Sequence, residues 1–169
     1  MCCKIFSKMI GFKKKTPKEW VFGNKPVVTW AAKNNVKFDM TTMTKIILTQ
    51  ILGLEDIDLV VITNDKAITK FDTNDLELQA ILQADPDRHR YRLTYHSRVG
   101  AANMLPILCH EMIHLKQHDK GELKLVKGGA IWKGTFYDKE IPYFERPWEI
   151  EANDNMTKIE KKAKELYYE

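Results

Sequence analysis

His110-Glu111-Met112-Ile113-His114 is the one stretch of the 169-residue chain in which side-chain types and spacing together specify a reaction. On an α-helix, residues four apart lie about 40° from stacking and roughly 6 Å up the axis, so His110 and His114 face one way and can share a metal ion. Glu111 then sits beside that ion. Zinc held by imidazoles at about 2.0–2.1 Å, and short of a fourth protein ligand, lowers the pKa of a bound water to about 7. Glu111 is placed to take that water's proton and later to protonate a leaving amine, which is the chemistry of peptide hydrolysis. The pattern fixes three positions, so a further ligand must come from elsewhere in the chain.

His118 continues the series 110, 114, but it stands about 12 Å from His110 along a regular helix, too far to share one ion. It is expected at the surface or at the helix end, where the helix dipole favours it. The C-terminal helix, opened by Pro147, is the better donor. Its apolar stripe is Ala152, Met156, Ile159, Ala163 and Leu166, and one turn before Ala152 the same face reaches Glu149. Glu151 falls with Asn155, Lys158 and Lys162 on the polar face and is expected in solvent. Small Ala152 allows two helices to approach, and Asn153 is expected to hydrogen-bond a ligand. The expected site is thus His110, His114 and Glu149 on Zn2+, with Glu111 as general base.

The elements that must position these groups can be read along the chain. The motif helix is expected over 104–118, with Asn103 as its N-cap, Pro106 in its first turn and Leu105, Leu108, Met112 and Leu115 on its buried side. Cys109 reads as a buried thiol and a poor ligand, since it faces about 100° away from His110. Upstream, a helix over 40–52 ends at Gly53 and a buried strand follows over 57–63. Strands over 76–83 and 89–95 should form a hairpin around Asp85-Pro86-Asp87-Arg88. In the second of them, Tyr91, Leu93 and Tyr95 alternate with Arg90, Arg92 and Thr94, as in a strand with one wet face. Strands over 122–126 and 130–137 flank Lys127-Gly128-Gly129 as another hairpin.

Composition sets the frame. With 44% hydrophobic and 30% charged residues the chain reads as globular and large enough to bury a core without disulfides, for which three cysteines, two of them adjacent, are badly placed. No apolar run approaches about eighteen residues and the N-terminus lacks a secretory apolar region, so a cytoplasmic location is expected. No internal repeat or glycine-rich phosphate loop is present, which leaves nucleotide chemistry unsupported. The net charge of +4 is uneven: residues 1–25 carry seven lysines against Glu19. Ile5, Met9 and Phe12 share a face there, which suits a short amphipathic helix over 1–15, the other reading being a frayed or packed terminus, with a linker at Thr16-Pro17. The expected division is a basic segment over 1–25 and a domain over 26–169. The segment could contact an acidic protein, an anionic lipid surface or nucleic acid, although lysine without arginine is a weak nucleic-acid signature.

With Glu149-Ile150-Glu151-Ala152-Asn153 placed 35 residues after His114, the chain resembles the gluzincin branch of the zincin metallopeptidases. Ile131-Trp132-Lys133-Gly134, with Tyr143 to Glu151, is similar to small zincin-like proteins encoded by bacteria and their phages. The resemblance covers roughly residues 40–165, and Asn153 stands where the family often has Asp. It implies an α+β minimal zincin fold, in which a small, mostly antiparallel sheet packs on the motif helix and a C-terminal glutamate helix. It also implies zinc-dependent cleavage of a peptide or protein substrate, bound by strand addition at the sheet edge expected over 89–95. Tyr143, Tyr137 and His118 are the candidates for a transition-state hydrogen-bond donor. The rival expectation keeps the fold without turnover, as a structural or assembly component, virion-associated and anchored by its basic segment.

Overall fold

A computed structural model describes residues 2–6, 26–32, 37–65 and 78–169. Within them β1 (Cys2–Phe6), β2 (Val27–Trp30), β3 (Asp58–Thr63), β4 (Leu78–Asp85) and β5 (Arg90–Tyr95) join in one sheet in the order β1-β4-β5-β3-β2. β6 (Leu123–Val126), β7 (Gly129–Trp132) and β8 (Thr135–Asp138) make a separate antiparallel meander. The helices are α1 (Met40–Ile46), α2 (Ala101–Asp119) and α3 (Pro147–Tyr168), so the class is α+β as expected. No helix among the described residues is long and apolar enough to cross a membrane.

The larger sheet is mixed, where the resemblance implied a mostly antiparallel one. β4 and β5 form the expected antiparallel hairpin, closed by a 3-10 turn at Pro86–Arg88 and by His89 in the left-handed region at φ 48. The pairings of β1 with β4, β3 with β5 and β2 with β3 are parallel. A parallel neighbour needs a crossover, and α1 supplies it between β2 and β3. One consequence corrects the expected substrate edge. β5 is paired on both sides, by β3 and β4, so its backbone is not open to an added strand.

Two further expectations change. The segment expected as an amphipathic helix contains strand β1 at Cys2–Phe6, paired with β4, and residues 7–25 with the linker lie outside the described residues. The strand expected over 130–137 is two strands joined by Lys133 and Gly134, at φ 45 and 87, a two-residue turn in which both residues are left-handed. Gly129 is needed for a different reason: a Cβ there would lie 2.0 Å from the Tyr137 carbonyl oxygen.

The main core gathers one face of the sheet, Leu59, Val61, Leu82, Tyr91, Leu93 and Tyr95, against the helices. The opposite face of β5, expected wet, keeps Arg92 half-exposed but buries Arg90 and Thr94. α1 starts at Asp39, whose carboxylate accepts from the Thr41 backbone N–H at 3.0 Å and from the Thr42 hydroxyl at 2.6 Å. It continues into a π-helical turn, Ile47–Ile51, and stops at Gly53 with φ 63.

α2 begins a turn earlier than expected. Its N-cap is Gly100, so Asn103 lies inside it, and Pro106 sits past the first turn, unable to donate to the carbonyl one turn back. Two tyrosines on the buried face of β5 hold the helix. The Tyr95 hydroxyl donates to the Met104 carbonyl at 3.0 Å, and the Tyr91 hydroxyl donates to the Asp119 carboxylate at 3.1 Å. A smaller core of Leu123, Ala130, Trp132 and Trp148 joins the meander to the first turn of α3.

The Thr42 hydroxyl hydrogen bond, opposed by burial and joined by hydrogen bonds from the Thr41 and Thr42 backbone, holds the Asp39 carboxyl below its usual range. Its capping contribution is therefore present above about pH 4 and is lost as the pH falls through its lowered folded-state pKa. Asp39→Ala should lower unfolding stability by about 1 kcal/mol at pH 7. Urea titrations at pH 7 and pH 3 check this, with the gap between the two proteins shrinking at the lower pH.

A candidate metal centre between two helices

α2 is buried almost all the way round. Met104, Leu105, Ile107, Leu108, Cys109, Met112, Ile113 and Leu115 are all in the core, with His110, Glu111 and His114 among them. A helix with so little solvent face is an internal strut, and α3 packs along it through Ala152, Ile159 and Ala163. Ala152 adds almost no bulk, so the helices close at that level and Glu149, one turn earlier, points into the gap.

There three ligand atoms converge. His110 Nε2 and His114 Nε2 are 2.9 Å apart, and Glu149 Oε2 lies 3.3 Å from the first and 3.1 Å from the second. Four-coordinate bonds of about 2.0–2.1 Å separate neighbouring ligand atoms by about 3.3 Å, so this spacing fits one small divalent ion. Among the described residues His110, His114 and Glu149 form a buried group that could hold a metal ion, as the periodicity argument selected.

The electrostatics follow from burial. Burial works against charge on the Glu149 carboxyl, but hydrogen bonds with His110 and His114, the His114 charge and a hydrogen bond with Tyr143 bring it down to about 2. For His114, burial opposes protonation, yet hydrogen bonding to and charge on Glu149, with Glu111 and Gln117 adding to them, hold its pKa above the usual value. The pocket thus favours a positive charge between the imidazoles and the carboxylate, whether proton or metal. Glu111 is fully buried, and its charge acts on His114.

The other expected roles divide. Tyr143, in the short 3-10 turn Tyr143–Glu145 before α3, brings its hydroxyl to the Glu149 carboxylate. Tyr137 instead packs edge-on against Trp148, with ring centroids 5.9 Å apart. His118 is outside the metal-binding group, as its reach implied, and lies in the last turn of α2, as expected, but it is buried there because α2 has almost no wet face. Burial and the charge of His114 push its pKa down to about 4, so it is neutral at pH 7. Cys109 is a buried free thiol, its pKa raised by burial.

Two residues of the α3 motif change places. Asn153 is exposed and does not support a ligand. Glu151, expected in solvent, is half-buried, and its carboxylate accepts from Gln117 Nε2 at 3.2 Å. Gln117 itself is buried and lies 2.7 Å from His114 Nδ1 through its Oε1. Its position three residues after His114, on the same face of the helix, is the signal that could have found it.

Compared with protein-family models, curated proteins and solved structures, the chain matches none. The full chain is expected to bind one equivalent of a divalent transition metal, to lose it in Glu149→Ala and His114→Ala, and to keep it in Glu151→Ala. Elemental analysis after dialysis checks this, and metal lost only in Glu151→Ala would reverse the assignment.

Proposed function

We propose that the chain is a zinc-dependent peptidase of gluzincin type, which hydrolyses peptide bonds with Glu111 as general base. The observation that supports this best is the burial of Glu111 beside the converging His110, His114 and Glu149. Two imidazoles and a carboxylate suit zinc and also iron, so the donor set alone leaves the metal open. The added acid favours hydrolysis, because a carboxylate next to the ion has a proton-transfer role there and no evident one in redox chemistry.

His110, His114 and Glu149 would hold the ion, which when bound supplies Lewis-acid polarisation and an acidified water. Glu111 accepts a proton from water and delivers it to the leaving amine. Being buried, it does so where water competes weakly and its charge is felt strongly. Tyr143, whose hydroxyl helps hold the Glu149 carboxyl in its charged form, would be the donor to an oxygen developing charge nearby. A peptide or protein substrate would bind in extended form, at an edge other than β5.

A second reading has its own observation. His110, Glu111, His114 and Glu149 are each 2% exposed or less, as in a metal site that staples a fold. The chain would then be a zincin scaffold with a structural or assembly role, cytoplasmic or virion-associated, with the basic residues 1–25 contacting an acidic protein, lipid or nucleic acid. Glu111→Gln separates the two. Under the peptidase reading it retains zinc and loses cleavage of a broad peptide library by about 100- to 10,000-fold. Zinc-loaded wild type with no cleavage dependent on Glu111 would leave the scaffold reading.

A further inference from the structure

Gln117 is 1% exposed, and every polar atom of its side chain is engaged. Nε2 lies 3.1 Å from the Trp148 carbonyl oxygen and 3.2 Å from Glu151 Oε2, while Oε1 lies 2.7 Å from His114 Nδ1. A carbonyl and a carboxylate only accept hydrogen bonds, so the two partners at one end of the amide require its NH2 group there. Oε1 therefore faces His114, and it too only accepts. The proton of His114 has to sit on Nδ1, which leaves the Nε2 lone pair turned toward His110 and Glu149.

We propose that Gln117, held by Glu151 and the Trp148 carbonyl, is a positioning residue that sets the tautomer of His114 for metal binding. The inference rests on the metal-site reading and deepens it. In water a neutral imidazole side chain favours the proton on Nε2, the nitrogen this site needs free. The relay corrects that preference, and it does so across the helix interface: His114 and Gln117 belong to α2, Trp148 and Glu151 to α3. Its outer end reaches the surface, where Lys133 Nζ in the β7–β8 turn stands 3.7 Å from Glu151 Oε2 and 4.5 Å over the Trp132 ring. The pairing of the ligand histidine with its orienting partner thus forms together with the docking of α3.

The test is zinc competition against a chromophoric chelator with the full chain, read alongside the His114 Nδ1–H proton resonance of the zinc-loaded protein. Gln117→Leu should weaken zinc binding about 10- to 100-fold, move that resonance upfield and speed its exchange with solvent. Gln117→Glu keeps an acceptor toward His114 but sets a second carboxylate against Glu151, and should also bind more weakly. Adding Glu151→Gln to it restores a donor across the interface but none to the Trp148 carbonyl, and should recover part of the affinity, even where Gln117→Leu does not fold. Unchanged affinity and resonance in Gln117→Leu, or no recovery in the double variant, overturns the relay and leaves the metal site standing. A wild-type chain that does not take up zinc overturns the metal reading, and the relay with it.

Discussion

Two imidazole nitrogens and a carboxylate oxygen, mutually within 3.3 Å and sealed in the core, form an arrangement that stands only if something positive lies among them. A buried carboxylate without a partner costs several kcal/mol, and removing one member of a buried charged set is costlier than never having built it. The rest of the structure is arranged around that demand. α2 and α3 must approach closely, which Ala152 and Ala163 permit. The first turn of α3 must also be fixed in rotation, or Glu149 would swing away. The meander does this by surrounding Trp148, the residue before Glu149, with Trp132 and Tyr137. A second core, built largely from the strands that follow α2, is in this way part of the candidate site's support.

What the sequence revealed about the site depended on whether a local pattern carried the answer. The spacing of His110 and His114, and the stripe that chose Glu149 over Glu151 as ligand, are properties of one helix each. Both were legible because helical periodicity is local. Gln117 and Glu151 were missed or misread for one shared reason. Their environment is set by a neighbouring helix, and α2 is covered on nearly all sides, so the division into a wet and a dry face gave no guide. Asn153 failed similarly, since nothing in its own spacing says that the facing surface ends before it.

Fold class and most elements were legible, while pairing order was not. The strand at Arg90–Tyr95 shows its alternation plainly, yet alternation is the same for an edge as for a strand with two neighbours. The β4 side follows from the local hairpin, but the parallel pairing with β3 joins residues far apart in the chain and leaves no mark in either strand's own pattern. Lys133 hid a turn because lysine rarely takes φ of 45, and only the following Gly134 signalled it. Gly100 hid the start of α2, since a glycine cap leaves no side-chain signature.

The two tyrosines of β5 give the site an asymmetry of support. One end of α2 is pinned to the sheet through Tyr95 and Met104, the other through Tyr91 and Asp119, where His89 Nδ1 also reaches the same carboxylate oxygen at 2.6 Å. A rod tied at both ends to a sheet is held against sliding and rolling, and it carries His110, Glu111 and His114 together. The opposing side, Glu149 with Tyr143, hangs from the meander and the connection before α3. The histidine side of the site is thus referenced to the sheet and the glutamate side to the meander, so the spacing between ligands depends on how α3 seats on α2.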